Sequence, residues 1–301
     1  MPDDARPRRA VPSGVVYALA AFGSWGVAVP VLFKLLAAVP APAILAHRVV
    51  WGCLLAVIMV LGLGRRAQLL AVARDRRRLG LLALSAALVA VNWLVFIWAV
   101  NNGHLVQTSL GFFINPLVNV ALGVVALGER LRRAQVAACA LAAAGVLVLV
   151  VASGEVPWIA LALASSFGLY GLIRKVVPVD ALVGFCVEAL LLLAPALAYL
   201  ALAGSGLSEG IPEAGLGLAL LVLTGPSTAF PLIWFAEAAR RLKLSTLGLL
   251  QYLSPSCTLL LGTLVFGEPF TAAHAAAFAL IWTGLALSSA DAFGLVGRAR
   301  G

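Results

Sequence analysis

The sequence predicts an all-α polytopic membrane protein whose ten transmembrane helices form two inverted five-helix repeats. Three observations predict this fold: an apolar composition, basic residues at alternate breaks between apolar runs, and a residue pattern that recurs after 139 positions. Of the 301 residues, 63% are hydrophobic and 11% are charged, and the mean hydropathy is +1.07. A soluble domain holds about 25% charged residues, so this chain lacks the polar surface that a water-soluble globule needs.

Ten apolar runs are long enough to cross a bilayer, because about 20 apolar residues in a helix span the hydrocarbon core. Each run is expected to be helical, since lipid offers no hydrogen-bond partner to the backbone. Short breaks with glycine, proline or charge separate the runs. The predicted spans are 13–34, 42–63, 79–101, 104–127, 133–152, 156–175, 181–203, 215–237, 244–266 and 271–292.

The basic residues predict the orientation of these spans. With the N-terminus inside, 19 of the 21 Lys and Arg residues fall in inner segments, and only Lys34 and Arg48 lie towards the outer side. Cytoplasmic segments carry such an excess of basic residues, so both termini are expected in the cytoplasm. The net charge of +9 does not indicate nucleic-acid binding, because the basic residues sit at helix ends and form no continuous face.

A skeleton of proline, glycine and glutamate occurs twice in the chain. Its members and their copies, each displaced by 139 residues, are Pro116 and Pro255, Gly123 and Gly262, Gly128 and Gly267, Glu129 and Glu268, and Gly145 and Gly284. The Gly-Glu copies end spans four and nine, five spans apart, so the two copies point in opposite directions. The predicted units are an N-terminal cytoplasmic tail (1–12), a first repeat (13–152), an inverted second repeat (153–292) and a C-terminal cytoplasmic tail (293–301). Inverted repeats are typical of transporters that alternate access around a site near the midplane of the bilayer.

Motifs in both halves carry a family resemblance. They are Ser24-Trp25-Gly26, His47-Arg48-Val49, Asn92-Trp93, Trp98–Asn102, Ser109-Leu110-Gly111, Asn115–Asn119, Gly128-Glu129-Arg130, Tyr170-Gly171-Leu172, Arg174-Lys175, Leu244–Gly248, Gln251-Tyr252 and Pro255. In this order they resemble the drug/metabolite transporter superfamily, in its EamA-domain family and RarD subfamily. The resemblance implies ten helices, a bacterial inner-membrane location and export of small metabolites or drugs. The subfamily is associated by name with chloramphenicol sensitivity.

Charged residues inside predicted spans are the first candidates for function. Arg48 either binds an anion or anchors its helix by reaching to the interface, since a charge within the bilayer costs about 2.5–3.5 kcal/mol on insertion scales. His47 either titrates near neutral pH or packs as a hydrogen-bonded residue. Glu188 is the candidate for proton coupling, because an apolar environment favours the neutral carboxyl group. The alternative for Glu188 is a structural pairing with Arg48 or Arg174.

Amide and aromatic side chains form a second group of candidates for the solute pathway. They are Asn92, Trp93, Asn115, Asn119, Gln251 and Tyr252. Asn92, Asn115, Gln251 and Tyr252 are expected to meet at a central cavity, because equivalent helices of inverted halves flank the same axis. Trp93 is expected close by, and such a cavity suits a flat or amphipathic solute. Alternatively, the asparagines of span four tie that span to its neighbours.

Transport of a small molecule is the function that these features favour. The chain contains no Gly-x-x-x-x-Gly-Lys-[Ser/Thr], no His-Glu-x-x-His and no Ser–His–Asp order, so no ATPase or hydrolase is indicated, and no cofactor or metal is expected. We expect a secondary transporter, a monomer or homodimer, that exports an organic solute by alternating access. The alternatives are a gradient-driven facilitator or channel without proton coupling, and an integral-membrane lipid-modifying enzyme with Glu188 and His47 as acid and base.

Overall fold

The computed structural model describes residues 13–101, 105–154, 158–203, 214–265 and 271–292, and all regular structure in these ranges is helical. The predicted tails, Asn102 and the second Gly-Glu pair at 267–268 lie outside the described residues. The helices are α1 (Ser13–Gly23), α2 (Val29–Leu35), α3 (Ala41–Gly62), α4 (Arg66–Arg74), α5 (Arg76–Asn101), α6 (Leu105–Leu127), α7 (Arg133–Ser153), α8 (Trp158–Val176), α9 (Ala181–Ala203), α10 (Ala214–Arg241), α11 (Leu244–Gln251), α12 (Leu253–Leu264) and α13 (Ala272–Ala292).

Ten helical segments within the described ranges are long and apolar enough to cross a membrane. The first consists of α1, a π-helical turn at Ser24–Ala28 and α2, and the ninth consists of α11 followed by α12. Single helices form the other eight. The all-helical fold class with ten spans is therefore confirmed, and the predicted bounds agree to within a few residues because bilayer thickness fixes helix length.

The break after the second span contains α4, a short helix that the sequence prediction did not include. Asp75 separates α4 from α5, and its carboxylate accepts hydrogen bonds from the backbone N–H groups of Arg77 and Arg78, at 3.0 and 3.1 Å. Aspartate is a favoured N-cap because it satisfies donors that the first helical turn leaves free. This cap explains why α5 begins at Arg76, three residues before the predicted span.

Helices α7 and α13 cross through a reciprocal pair of glycine contacts. A Cβ on Gly145 would lie 2.8 Å from the Ala277 carbonyl oxygen, and a Cβ on Gly284 would lie 2.9 Å from that of Ala138. The helices are thus antiparallel, because the partner number falls as the residue number rises. Ala277 follows Ala138 by 139 residues, as Gly284 follows Gly145. A pseudo-two-fold axis produces such reciprocity, so these contacts support the inverted repeat, which stays a prediction.

The first and ninth spans also approach closely at the π-helical turn. A Cβ on Gly26 would lie 2.7 Å from Cys257 Cβ and 2.8 Å from the Ser254 carbonyl oxygen. The Thr258 hydroxyl donates to the Gly26 carbonyl oxygen at 3.3 Å. Glycine is needed here because any larger side chain would separate the two spans.

The centre of the molecule lies where α3 packs against α9 and α10, with α5 and α8 beside them. On the other flank, α6 packs against α8 and α11. Large apolar side chains such as Val125, Leu147, Val151 and Leu202 are exposed on the outer faces of the helices. Such faces suit lipid, so the packing leaves the central helices to hold the polar groups.

Candidate functional site

A small cavity lies among α3, α5, α9 and α10. Its walls are apolar side chains together with three polar residues, Arg48, Glu188 and Thr228. The volume of about 20 Å³ accommodates about one water molecule. An organic solute therefore requires the walls to separate before it enters.

Arg48 points into the protein interior rather than towards a lipid interface. Its Nε donates to Thr228 Oγ1 at 2.9 Å, and that hydroxyl in turn donates to the Thr224 carbonyl oxygen at 2.7 Å. The guanidinium carbon lies 4.9 Å from the ring centroid of Trp93 and 5.2 Å from that of Phe33. Aromatic faces attract cations, so these contacts hold the guanidinium at the cavity.

No carboxylate in the described ranges lies within 4.0 Å of the Arg48 guanidinium. Its hydrogen bond to Thr228 uses Nε alone, and the two terminal nitrogens make no hydrogen bond to the described part of the chain. Arg48 thus keeps two paired N–H donors for a group that the protein itself does not supply.

Glu188 is also buried, but unlike the Arg48 guanidinium its carboxylate has partners within the protein. Glu188 is 3% exposed and Arg174 is 1% exposed, and Arg174 Nη1 lies 3.4 Å from Glu188 Oε1. Arg174 Nη2 donates to the Ala181 carbonyl oxygen at 2.9 Å. The Ser85 hydroxyl contacts the same Glu188 oxygen, and Tyr170 lies next to this carboxylate without a hydrogen bond of normal geometry.

Ser85 allows Glu188 to be hydrogen-bonded in both protonation states. Its single hydroxyl proton has two acceptors in reach, Glu188 Oε1 and the Leu82 carbonyl oxygen at 3.0 Å. An ionised Glu188 accepts the hydroxyl proton. A protonated Glu188 donates to Ser85 Oγ, whose own proton then turns to Leu82. Neither state leaves a buried donor without an acceptor at this position.

Gly184 provides the space for the Arg174 guanidinium. It lies one helical turn before Glu188 on α9, and a Cβ added there would be 2.0 Å from Arg174 Nη1. No rotation of a neighbour relieves such an overlap without moving the guanidinium itself. The residue pattern did not reveal Gly184, Ser85 or Thr228, because small residues of this kind are common in membrane helices.

His47 is buried beside Arg48 but is not among the residues that line the cavity. Trp51 Nε1 donates to His47 Nδ1 at 3.3 Å, one turn along α3. This contact corresponds to the packing interpretation of His47.

Asn115, Asn119 and Gln251 come together away from the cavity. Asn119 Nδ2 lies 2.5 Å from Gln251 Oε1 and 3.3 Å from Asn115 Oδ1, and all three side chains are buried. A Cβ on Gly248 would lie 2.6 Å from the Pro116 carbonyl oxygen, so α6 and α11 touch here. Amide hydrogen bonds between helices stabilise membrane proteins, and this cluster supports the tying alternative.

Asn92 and Tyr252, which are predicted to meet Asn115 and Gln251, lie apart from this amide cluster. Asn92 donates to the Leu163 carbonyl oxygen at 2.8 Å and to Ser166 Oγ at 3.0 Å, so its amide group binds α8 rather than Asn115 or Gln251. Tyr252 is buried in an apolar cluster between α6, α7, α8 and α13. The cavity lies among α3, α5, α9 and α10, whereas the Asn92 amide binds α8 and the amides of α6 and α11 bind one another. Trp93 lines the cavity among α3, α5, α9 and α10.

Glu129 joins the end of α6 to the beginning of α11. Its Oε1 accepts from the Leu244 N–H at 2.7 Å, and its Oε2 accepts from the N–H and hydroxyl of Ser245 at 2.9 and 2.7 Å. Lys175 Nζ lies 4.0 Å from Glu129 Oε1. Burial raises the pKa of the Glu129 carboxyl, but these hydrogen bonds and Lys175 together outweigh it, so the pKa lies below its usual value.

Further polar contacts join the predicted halves on the same, basic side of the protein. Arg65 Nη1 lies 2.5 Å from Asp180 Oδ1, Arg132 Nη1 lies 3.6 Å from Asp291 Oδ2, and Arg241 Nη1 donates to Ser13 Oγ at 3.0 Å. Each contact links an N-terminal helix or loop to a C-terminal one. Like the Glu129 contacts, they connect the two predicted halves on this side.

Comparison with known proteins shows which family the chain resembles. A family model described as the EamA-like transporter family matches residues 12–151. An uncharacterized transporter of Vibrio cholerae serotype O1 is 47% identical over 280 residues, which cover 92% of each chain. Protein RarD of Escherichia coli strain K12 is 45% identical over 291 residues, covering 96% of this chain and 97% of its own.

The chain belongs to the EamA-like transporter family. Within this family it falls in the RarD subfamily of the drug/metabolite transporter superfamily, as the sequence motifs predicted. A crystal structure with 21% identity matches this EamA-like fold with a TM-score of 0.70, covering 94% of this chain and 98% of the other. The fold and the family together identify a multi-pass membrane protein.

Proposed function

We propose that this EamA-like protein is a secondary transporter that exports a small organic solute across the bacterial inner membrane. One observation carries the proposal: a small cavity between the central helices is lined by a guanidinium with free donors and by a carboxylate that is hydrogen-bonded in either protonation state. Ionisable groups inside membrane segments are costly and mark solute or proton pathways. Family membership supports the same reading.

Alternating access is the mechanism that we propose. The solute binds at Arg48 and Trp93, while Glu188 takes up or releases a proton at the same cavity. The contacts of Glu129 and of the Arg65–Asp180 pair close the basic side, and we propose that they break when the cavity opens to the cytoplasm. Both termini are then cytoplasmic, as the distribution of basic residues predicts.

Glu188→Gln tests the coupling. The purified protein is reconstituted in proteoliposomes loaded with a pH-sensitive dye, and a panel of metabolites together with chloramphenicol is screened for solute-dependent proton flux. Chloramphenicol is included because the subfamily is associated with it by name. We expect pH-driven accumulation of a responding solute to be lost in Glu188→Gln, while exchange of that solute at equal pH continues. Glutamine accepts the hydrogen bonds of Ser85 and Arg174 as glutamate does, but it has no titratable proton.

Glu237→Gln is the matched control, since Glu237 pairs at the helix end with Arg240 and Arg241, at 3.6 and 2.8 Å, outside the cavity. Unchanged pH-driven accumulation in Glu188→Gln would remove Glu188 from the coupling mechanism. Flux that neither saturates nor shows counterflow would indicate a facilitator or channel. Recovery of a chemically altered solute would indicate an enzyme.

A further inference from the structure

The charges that face the cavity do not cancel. Glu188 is already neutralised by Arg174, which lies 3.4 Å away and is almost completely buried. Arg48 has no such partner in the described ranges, and no lysine lines the cavity. The site therefore presents one uncompensated positive charge in a region of low dielectric constant, where the penalty for leaving it unpaired is large.

The geometry around Arg48 selects the shape of the missing group. Thr228 occupies Nε, which leaves the edge formed by Nη1 and Nη2 free. Two parallel N–H groups on one edge match the two oxygens of a carboxylate in a bidentate pair. A phosphate or a dicarboxylate would bring a second negative charge for which the cavity holds no second free cation.

The rest of the cavity selects the body of the solute. Trp93 and Phe33 flank the guanidinium, and the remaining lining is aliphatic or aromatic, as at Val89, Phe185 and Leu192. Such walls bind apolar groups and offer no hydrogen bonds to a polar body. A cation is excluded by repulsion from Arg48, and a neutral solute leaves the guanidinium charge uncompensated.

We propose that the solutes of this protein are organic monocarboxylates with an apolar or aromatic body. The carboxylate binds the Nη1–Nη2 edge of Arg48, and the body lies against Trp93 and Phe185. This inference rests on the proposed transport function, because it names the solute class of the same cavity.

Binding to the purified full-length protein tests the inference without any transport step. The probes are phenylacetate, its uncharged analogue phenylacetamide, and hexanoate, each titrated while thermal unfolding is followed. A ligand that binds only the folded state raises the melting temperature. We expect both carboxylates to stabilise the protein, and we expect phenylacetate to bind about tenfold or more tightly than phenylacetamide, because a charged hydrogen-bond pair is lost in the amide.

Three variants locate the effect. Arg48→Gln should abolish stabilisation by phenylacetate, whereas Arg240→Gln, which removes an equal charge from the exposed end of α10, should retain it. Thr228→Val keeps the guanidinium but removes its tether, and should weaken phenylacetate binding several-fold. Thr228→Val also decides the matter if Arg48→Gln does not fold, since unchanged affinity in that variant would contradict the assigned pose.

Three results would overturn the inference: equal affinity for phenylacetate and phenylacetamide, stabilisation that survives Arg48→Gln, or no stabilisation by either carboxylate. Transport is measured separately in proteoliposomes. Proton-coupled movement of neutral solutes alone would overturn the solute class and leave the transport function in place. Carboxylates that bind but never cross the bilayer would leave the site assignment and contradict the transport function.

Discussion

At the scale of single residues, Gly184 leaves the space that the buried Arg174 guanidinium occupies. Arg174 occupies space that the missing side chain of Gly184 leaves free, and this position brings the guanidinium to Glu188. The pair is buried on all sides, so its members depend on each other much more than an exposed pair does. Breaking a buried pair leaves one charge uncompensated.

Gly184→Ala should destabilise the protein by about 3–5 kcal/mol, the usual cost of breaking a buried ion pair, because the added Cβ displaces the guanidinium. Thermal unfolding in detergent measures the effect. Gly80→Ala on α5 is the matched control, since no atom lies within 4 Å of an added Cβ there. Alanine is better than glycine in an open helical position, so this control should be neutral or slightly stabilising. Equal melting temperatures for the two variants would show that Gly184 does not hold the guanidinium.

The residue scale is also where sequence reasoning stopped. Glu188 could be singled out because any carboxylate inside an apolar run is costly and needs a reason. Its partner could be narrowed to Arg48 or Arg174 but no further, since Arg174 sits at a helix end like the other basic residues of the inner side. Asn92 was expected to join Asn115 and Gln251, but helical periodicity gives the face of a residue and not the helix that covers it.

At the scale of elements, the beginning of α11 depends on a residue that precedes it by more than a hundred positions. Glu129 accepts two backbone N–H groups of α11 that have no partner within the helix. The same offset of 139 residues that relates Glu129 to Glu268 relates Leu244, where α11 begins, to Leu105, where α6 begins.

Glu129→Ala should lower the melting temperature at neutral pH by the loss of a cap, which costs about 0.5–2 kcal/mol. The pKa of Glu129 is lowered on folding from its usual 4.5, so its ionised form stabilises the protein above that pH. The stabilisation is lost as the pH falls below 4.5 through the folded pKa. The gap between the wild type and Glu129→Ala should therefore close at low pH, as thermal unfolding at several pH values will measure. A gap that stays constant down to low pH would contradict the role of the ionised carboxylate.

The order of the elements was predictable for a simple reason. Hydrocarbon thickness fixes the length of each span, and breaks with charge or proline mark its ends, so α3, α7 and α9 lie close to their predicted bounds. The short helix α4 was missed because its residues are exposed and basic and do not need to cross lipid. The position of the cavity was not predictable in the same way. Two pairs of equivalent helices, α3 with α9 and α6 with α11, both pack across the predicted axis, and symmetry alone does not say which pair encloses space.

At the scale of the whole molecule, several polar contacts join the predicted halves on the basic side. Arg65 and Asp180 are the shortest of these links and lie at the ends of α3 and α9, the helices that also line the cavity. In the proposed mechanism, opening of the cavity towards this side separates Arg65 from Asp180. Their separation is thus a measurable sign of alternating access.

Joining positions 65 and 180 should stop transport while leaving the fold intact. The double variant Arg65→Cys with Asp180→Cys is treated with a short bifunctional maleimide in proteoliposomes, and counterflow of a transported solute is measured. We expect loss of flux only when both cysteines are present and cross-linked. The single variants with the same reagent are the controls, because the native cysteines are present in every case. Full counterflow in the cross-linked double variant would show that this face does not open during transport.

The pairing of Arg174 with Glu188 also bears on how the chain enters the membrane. The two residues lie on consecutive helices and are 14 positions apart, so their side chains meet beyond the short turn that joins α8 to α9. Ser85 belongs to an earlier span, so the remaining partner of Glu188 has already been synthesised when α9 leaves the ribosome. If α8 and α9 enter lipid together, neither charge is exposed alone. Arg48 has no such help, because Thr228 follows it by 180 positions. The second span is therefore expected to insert before Thr228 on α10 has been synthesised. The favourable transfer of its own apolar residues into lipid then offsets the cost of inserting Arg48.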